Sequence, residues 1–137
     1  MLLCQIIYSF FHYKRTPETH CRMFSIEATI KPFKLDDVRE TLVDLGVGGM
    51  TVTEVLRQTP PQRRERRFSD AQSGTVDLSP HIKIQVVVPD RLVESVIETL
   101  CIYGSSGKLD DGLVTVSRVE SVVRVRTGEK NDDALST

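Results

Sequence analysis

A short loop between a predicted helix and a predicted strand combines residue types that bind phosphate groups. Residues 106–114 read SGKLDDGLV, with two glycines, a serine and a lysine. Backbone N–H groups at glycines and a serine hydroxyl can donate hydrogen bonds to phosphate oxygens. Asp110 and Asp111 stand side by side in the same loop, and their carboxylates repel an anion. The loop therefore predicts a phosphate site whose affinity for a ligand falls with each added phosphate charge.

Two arginines near the C-terminus form a second candidate phosphate-binding feature. Arg124 and Arg126 are two residues apart in a predicted strand, so both side chains project from one face while Val123 and Val125 face the other. Paired guanidinium groups on one face make a forked receptor for phosphate. A solvated edge strand with two unrelated arginines is the alternative interpretation of the same pattern.

The composition indicates one domain without a strong overall electric field. The chain has 137 residues, which is the length of a single domain. Its net charge is −1, so no global field attracts nucleic acid or acidic lipid. Its three cysteines are scattered and form no CxxC motif, which is typical of a cytoplasmic protein. No apolar run reaches the roughly 18 residues of a membrane span. We therefore expect no nucleic-acid partner and no stable membrane span.

From Met23 onward, strand and helix patterns follow one another in a regular order. Alternating apolar residues predict strands, and apolar residues at helical spacing predict helices. The order predicts an α+β, ferredoxin-like βαββαβ sandwich, with an antiparallel sheet and both helices on one face. The segments in chain order are FSIEATIK, LDDVRETLVDLG, MTVTEVLRQ, HIKIQVVVP, RLVESVIETLCIYG and LVTVSRVESVVRVRTG.

Two packing expectations follow from these segments. The apolar run Val86 to Val88 predicts a strand covered on both faces, and therefore a chain that associates with copies of itself. Cys101 continues the apolar stripe of the second helix and is expected to be a small buried residue.

The pattern also predicts three regions along the chain. Residues 1–22 are apolar and then basic, which is not the order of a secretory signal. We interpret them as a disordered extension or as sequence upstream of a start at Met23, and their histidines and cysteines match no metal-site spacing. Residues 23–129 are the folded domain, with a mobile loop at 59–79, and residues 130–137 are a tail.

Three stretches carry a resemblance to the PII family of signal proteins. They read IKPFKLDDVRETLVDLGVGGMTVTEV, HIKIQVVVPD and VVRVRTGE, and the similarity runs from about Met23 to Glu129. The resemblance implies a homotrimer of ferredoxin-like subunits that binds adenine nucleotides in the clefts between subunits. It also implies that a mobile loop between the second and third strands, the T-loop, contacts partner proteins.

The resemblance assigns nucleotide-binding roles to three groups of residues. The adenine would be bound by the second and third strands, and the phosphates by the 106–112 loop and the two arginines. These residues are Gly49, Met50, Thr51 and Val87; Ser106, Gly107, Lys108, Asp111 and Gly112; and Arg124 and Arg126.

The chain departs from the family pattern at the phosphate loop. Where the family reads roughly TGKIGDGKIF, this chain reads SGKLDDGLVT, so that a glycine has become Asp110 and a phosphate-binding lysine has become Leu113. A carboxylate about 8 Å from a phosphate, at an effective dielectric near 20, costs roughly 2 kcal/mol per charge. That cost is about thirtyfold in affinity. The chain is therefore expected to favour ADP or AMP over ATP.

A second effector is expected near the base of the T-loop. In the family, 2-oxoglutarate is held by magnesium on ATP, a glutamine and a lysine, whose positions here are Gln58 and His81. Together with Arg57 these residues predict a small-anion site, for which bicarbonate, as in the carboxysome-linked members, is the first candidate. The alternative is a nitrogen-regulatory protein that senses ATP and 2-oxoglutarate.

The loop 59–79 lacks the family's tyrosine motif and so is not expected to be uridylylated. It carries a basic cluster beside an aromatic residue, which predicts docking to an acidic partner protein; a solvated loop is the alternative. The cluster consists of Arg63, Arg64, Arg66, Arg67 and Phe68. No nucleophile–base pair is apparent in the sequence, so we expect a regulatory protein with no catalytic residues and no resident metal.

Overall fold

The computed structural model of the protein describes residues 22–58 and 78–136. The predicted basic cluster of the T-loop and nearly all of the predicted N-terminal extension lie outside the described residues. The elements are β1 (Met23–Ile30), a short 3-10 turn (Pro32–Lys34), α1 (Leu35–Asp44), β2 (Thr51–Gln58), β3 (Leu78–Pro89), α2 (Asp90–Gly104), β4 (Val114–Val119) and α3 (Asp132–Leu135).

The described strands form one four-stranded sheet in the order β2-β3-β1-β4. Every neighbouring pair is antiparallel. The central strands are β3 and β1. The connection from β1 to β2 contains α1, and the connection from β3 to β4 contains α2. This arrangement confirms the predicted ferredoxin-like α+β fold.

Local sequence signals explain where β1 and α1 end. Pro32 opens the 3-10 turn directly after β1, since proline cannot continue the ladder of strand hydrogen bonds. Asp36 and Asp37 lie in the first turn of α1, where the helix dipole favours negative charge. Gly46 ends this helix region with a φ of 84°, a left-handed conformation that glycine adopts without steric cost.

The core lies between the helices and one face of the sheet. Ile26, Ile84 and Val86 of the sheet pack in one cluster with Val38 of α1 and Val96 of α2. These side chains are essentially inaccessible to solvent. Their burial removes apolar surface from water and supplies most of the stability of the domain.

This protomer covers one of the two faces of the strand at Val86 to Val88. Val86 and Val88 are buried in the core, but only Val87 lies on the opposite face of the sheet. Its neighbours on that face are polar: Lys83 forms an ion pair with Glu27 at 2.8 Å, and Gln85 donates to a serine hydroxyl at 3.2 Å. The expectation that another copy of the chain covers this second face stays a prediction.

Three further boundaries or environments differ from the sequence prediction. β3 begins at Leu78, so the last residues assigned to the loop 59–79 belong to a strand. β4 ends at Val119, and the chain turns at 125–127 instead of continuing as a strand. Cys101 is exposed, because Val96 and Leu100 occupy the inward side of α2. The register of a helix, more than its apolar content, decided the environment of this cysteine.

No helix within residues 22–58 and 78–136 is long and apolar enough to cross a bilayer.

Candidate functional site

Asp111 organises the loop 105–113, which follows α2. Its carboxylate accepts hydrogen bonds from the backbone N–H of Ser106 at 2.9 Å and of Gly107 at 3.0 Å. It also accepts from the hydroxyls of Ser105 at 3.0 Å and of Ser106. The donors of Ser106 and Gly107, which the sequence predicted for phosphate, are thus used by an internal carboxylate. Lys108 stands exposed at the start of the turn, with no such contact to the carboxylate.

The hydrogen bonds also set the ionisation of this carboxyl. Partial burial raises the pKa of Asp111, but the hydrogen bonds from the hydroxyls of Ser106 and Ser105, and from the backbone N–H groups of Ser106 and Gly107, outweigh it. The pKa is therefore below the usual value, and the carboxylate is the form that the folded loop binds.

This depressed pKa predicts a specific dependence of stability on pH. The contribution of the Asp111 carboxylate is fully present above the unfolded pKa of about 3.9 and is lost as the pH falls through the lower folded value. Asp111→Asn is expected to melt at a lower temperature than the wild type at neutral pH. The difference in melting temperature between the two proteins should narrow as the pH is lowered below about 4. Melting curves from pH 3 to 7 would check this, and a gap independent of pH would contradict it.

Gly112 fixes the same loop against β1. A Cβ at this position would lie 1.8 Å from the carbonyl oxygen of Thr29. The backbone N–H of Thr29 donates to the carbonyl of Leu113 at 3.2 Å. The glycine is thus needed for close approach of two backbones, and not for an unusual φ angle.

The negative charge of Asp110, a residue of this loop, is compensated. Its carboxylate forms an ion pair with Lys31, which follows β1. The hydrogen bond to Lys31 lowers the pKa of Asp110. The repulsion of about 2 kcal/mol expected from the sequence was calculated for an isolated carboxylate. With Lys31 alongside, that cost is largely offset, and the predicted weak binding of ATP depends mainly on Leu113.

Arg57 and His81, predicted to bind a small anion, contact the same loop. Arg57 Nη1 donates to the carbonyl of Asp110 at 3.3 Å and to that of Asp111 at 2.8 Å. His81 is buried, not at an exposed loop edge, and its Nε2 lies 3.3 Å from the carbonyl of Asp110. With the proton on Nε2, the ring donates there, and Nδ1 accepts from the hydroxyl of Ser79 at 3.3 Å. Gln58, the last residue of β2, is exposed.

A separate cleft of about 530 Å³ contains several residues of the predicted adenine site. Its lining includes Gly49, Thr51, Val87 and Arg124, so the fold brings these four predicted residues together. Met50 is partly buried and packs against the core, and it does not line this cleft. Gly48 and Gln85 also line the cleft, together with Ala134 and Leu135 of α3.

The prediction that Arg124 and Arg126 project together from a strand is wrong. A turn at 125–127, closed by the Gly128 N–H donating to the carbonyl of Arg124 at 2.8 Å, separates them. Gly128 has a φ of 72°, which permits this reversal of the chain. Arg124 is partly buried at the cleft, and Arg126 is exposed in the turn.

In this protomer, Arg124 binds the C-terminal segment. Its Nη2 donates to the carbonyls of Ala134 at 3.0 Å and of Ser136, and its guanidinium lies 3.5 Å from Glu129. The residues 130–136, assigned from the sequence to a tail, are therefore folded over the cleft. No sequence pattern indicated this contact.

The two groups of candidate residues lie at opposite ends of the sheet. Val87 pairs with Ser25 near the start of β1, while the loop 105–113 contacts Thr29 near its end. Four residues of strand separate these points, a distance of roughly 13 Å. One protomer thus carries two candidate half-sites, the arginine-lined cleft and the loop 105–113, at different ends of β1.

The sequence missed Lys31, Gln85 and the C-terminal contact. Lys31 lies inside the IKPF stretch that carried the resemblance, but nothing in its spacing pointed to Asp110.

Among residues 22–58 and 78–136, no group of three or more His, Cys, Asp or Glu residues could hold a metal ion.

The fold is that of a small α+β sandwich protein with the loop organised by Asp111 at one sheet end and an arginine-lined cleft at the other. A family model described as nitrogen regulatory protein P-II matches residues 23–129. The chain belongs to this family of signal-transduction proteins.

Individual relatives agree with that assignment. The nitrogen regulatory protein P-II of Haemophilus influenzae is 48% identical over 113 residues, which cover 82% of this chain and 100% of the relative. Nitrogen regulatory protein P-II 1 of Escherichia coli is 43% identical over the same shares. A crystal structure of Arabidopsis thaliana PII bound to citrate is 29% identical, with a TM-score of 0.68, over 83% of this chain and 92% of that one.

Proposed function

We propose that this chain is a homotrimeric regulatory protein that binds an adenine nucleotide in each cleft between subunits. The observation that carries the proposal is the separation of the two half-sites on one protomer. Gly49, Thr51, Val87 and Arg124 line one, and the loop 105–113 forms the other. A second copy that presents its loop to the arginine-lined cleft would complete the site, as in a closed symmetric ring.

Within this proposal the site favours ADP or AMP over ATP. Leu113 stands where the family pattern has a phosphate-binding lysine, and its side chain is largely exposed beside the loop. A leucine supplies no charge to a third phosphate, whereas a lysine would donate a charged hydrogen bond. Any magnesium would come with the nucleotide and be held by its phosphate oxygens.

The second effector separates two versions of the function. Nitrogen regulation is supported by the descriptions of the relatives, 48% and 43% identical. Inorganic-carbon signalling is supported by His81, which stands where the family has a lysine for 2-oxoglutarate and is buried against the loop carbonyls. Bicarbonate sensing and a carboxysome-linked role remain predictions. So do a cytoplasmic location, the absence of catalysis, and docking of an acidic partner protein to the T-loop.

Calorimetric titration of the protein with AMP, ADP and ATP tests the proposal. Each nucleotide is titrated alone and with 2-oxoglutarate or bicarbonate, and sedimentation gives the subunit number. A trimer that binds ADP or AMP more tightly than ATP is expected. A monomer, or a protein that binds none of the nucleotides, would overturn the proposal. ATP binding that 2-oxoglutarate strengthens would retain the family function but reject the nucleotide preference.

The C-terminal contact with Arg124 gives a further prediction. Phosphate oxygens and the carbonyls of Ala134 and Ser136 compete for the same guanidinium group. Deletion of residues 132–137 is therefore expected to tighten ADP binding by roughly tenfold or more, since a hydrogen bond from a charged group contributes about 1.5 kcal/mol or more.

Asp132→Ala is the matched control for this deletion. It removes only the exposed ion pair with Arg91, 3.3 Å long, which is worth less than about 1 kcal/mol. Unchanged or weaker ADP binding in the deleted protein would show that the C-terminal segment does not compete with the nucleotide.

A further inference from the structure

Three donor side chains from different strand ends converge on one acidic residue. Lys31 follows β1, Arg57 lies at the end of β2 and His81 near the start of β3. Lys31 pairs with the Asp110 carboxylate, while Arg57 and His81 contact the Asp110 backbone carbonyl at 3.3 Å each. The fold has thus assembled an ammonium, a guanidinium and an imidazole around a single loop residue.

This set of donors is suited to a small oxyanion. Ammonium and guanidinium groups donate charge-assisted hydrogen bonds to carboxylates, and the imidazole can add a neutral one. The Lys31 side chain is only 14% exposed and that of Asp110 27%, so little of the pair is left open to a second anion. Among the described residues the position that a free anion would take beside Lys31 is already occupied.

We propose that Asp110 is a tethered anion that fills the small-anion site of Lys31, Arg57 and His81 and thereby excludes free carboxylate and bicarbonate effectors. The inference rests on the proposed function in treating this region as the effector site. It replaces both effector versions given there, since neither 2-oxoglutarate nor bicarbonate would bind here in the wild type. It makes Asp110 the residue that determines effector specificity.

The loop geometry explains why the tethered carboxylate prevails. Gly112 and the hydrogen bond between Thr29 and Leu113 hold the loop against β1, beside Lys31. A group held in place by its own chain competes at a high effective concentration, commonly in the millimolar range or above. A free anion must displace the Asp110 carboxylate, and the negative charge of that carboxylate repels the anion as it approaches.

Asp110→Gly and Asp110→Asn test the proposal. Each protein is titrated with 2-oxoglutarate and separately with bicarbonate, in the absence of nucleotide, with ADP, and with magnesium and ATP. Asp110→Gly is expected to bind at least one of the two anions roughly tenfold or more tightly than the wild type, because a charged donor is released. Asp110→Asn retains the size of the side chain without its charge, so a smaller gain is expected.

Two further variants identify the source of the gain. Lys31→Met in the Asp110→Gly background should abolish it, since the ammonium group would be missing. Asp44→Asn, an exposed carboxyl at the end of α1, is the matched control for the loss of one negative charge and should bind as the wild type does.

The outcomes separate this inference from the proposed function. Wild-type protein that binds either anion as tightly as Asp110→Gly would overturn the inference. So would an Asp110→Gly protein that binds neither anion while its circular dichroism and nucleotide binding match the wild type. A wild-type protein without nucleotide binding would overturn the proposed function, and the titrations without nucleotide would still decide the role of Asp110.

Discussion

ADP binding is expected to weaken by roughly tenfold to hundredfold when Arg124 is replaced by alanine. A hydrogen bond between charged groups contributes about 1.5–3 kcal/mol, which corresponds to that range. Arg124 lines the cleft beside Thr51 and Val87, and its guanidinium already binds carbonyl oxygens there. Calorimetric titration with ADP measures the effect.

Alanine variants of two other arginines are the controls for this prediction. Arg126→Ala is expected to have a smaller effect, because Arg126 lies exposed in the turn at 125–127 and does not line the cleft. Arg118→Ala removes the same kind of charge from β4, away from the cleft, and should leave ADP binding unchanged. If Arg124→Ala bound ADP as the wild type does, the arginine-lined half-site would be wrongly assigned.

Gly112→Ala is expected to be the most destabilising single substitution in the loop 105–113. The added Cβ would lie 1.8 Å from the Thr29 carbonyl oxygen and 2.6 Å from its carbonyl carbon, and both are backbone atoms that cannot rotate away. Either β1 or the loop must move. We expect a loss of about 2 kcal/mol or more in the free energy of unfolding, since overpacking of a tight contact commonly costs about 1–3 kcal/mol.

Thermal melting at a fixed protein concentration measures this loss. Gly49→Ala is the matched control, because a Cβ there would meet no atom within 4 Å and the residue has no positive φ. An equal melting temperature for Gly112→Ala and the wild type would mean that the close approach of the loop to Thr29 is not required for folding.

The fold could be predicted because its signals are local. The alternation of Ile26, Ala28 and Ile30, and the helical spacing of Val38 and Leu42, each place one side of an element in the core. Pro32 and Gly46 mark the ends of elements through backbone chemistry that needs no tertiary contact. These features depend on a few adjacent residues, so they can be recognised from the sequence alone.

The candidate site could be predicted only in part. Gly49, Thr51, Val87 and Arg124 were named from the resemblance, and the structure places them in one cleft. The placement of Arg126 beside Arg124 on one strand face was wrong because the turn closed at Gly128 depends on pairing with residues 129–131, which the period-two pattern of the strand does not encode.

By itself, then, the sequence determined the order of strands and helices, the core residues and the family. Only the tertiary structure decided what the charges in that loop do. Asp110 pairs with Lys31, 79 positions away in the chain, and Asp111 binds the loop's own N–H groups. Ion pairs between distant segments depend on distances that only folding sets. The two carboxylates, which from the sequence were expected to repel a phosphate, therefore bind groups of the protein in the folded chain.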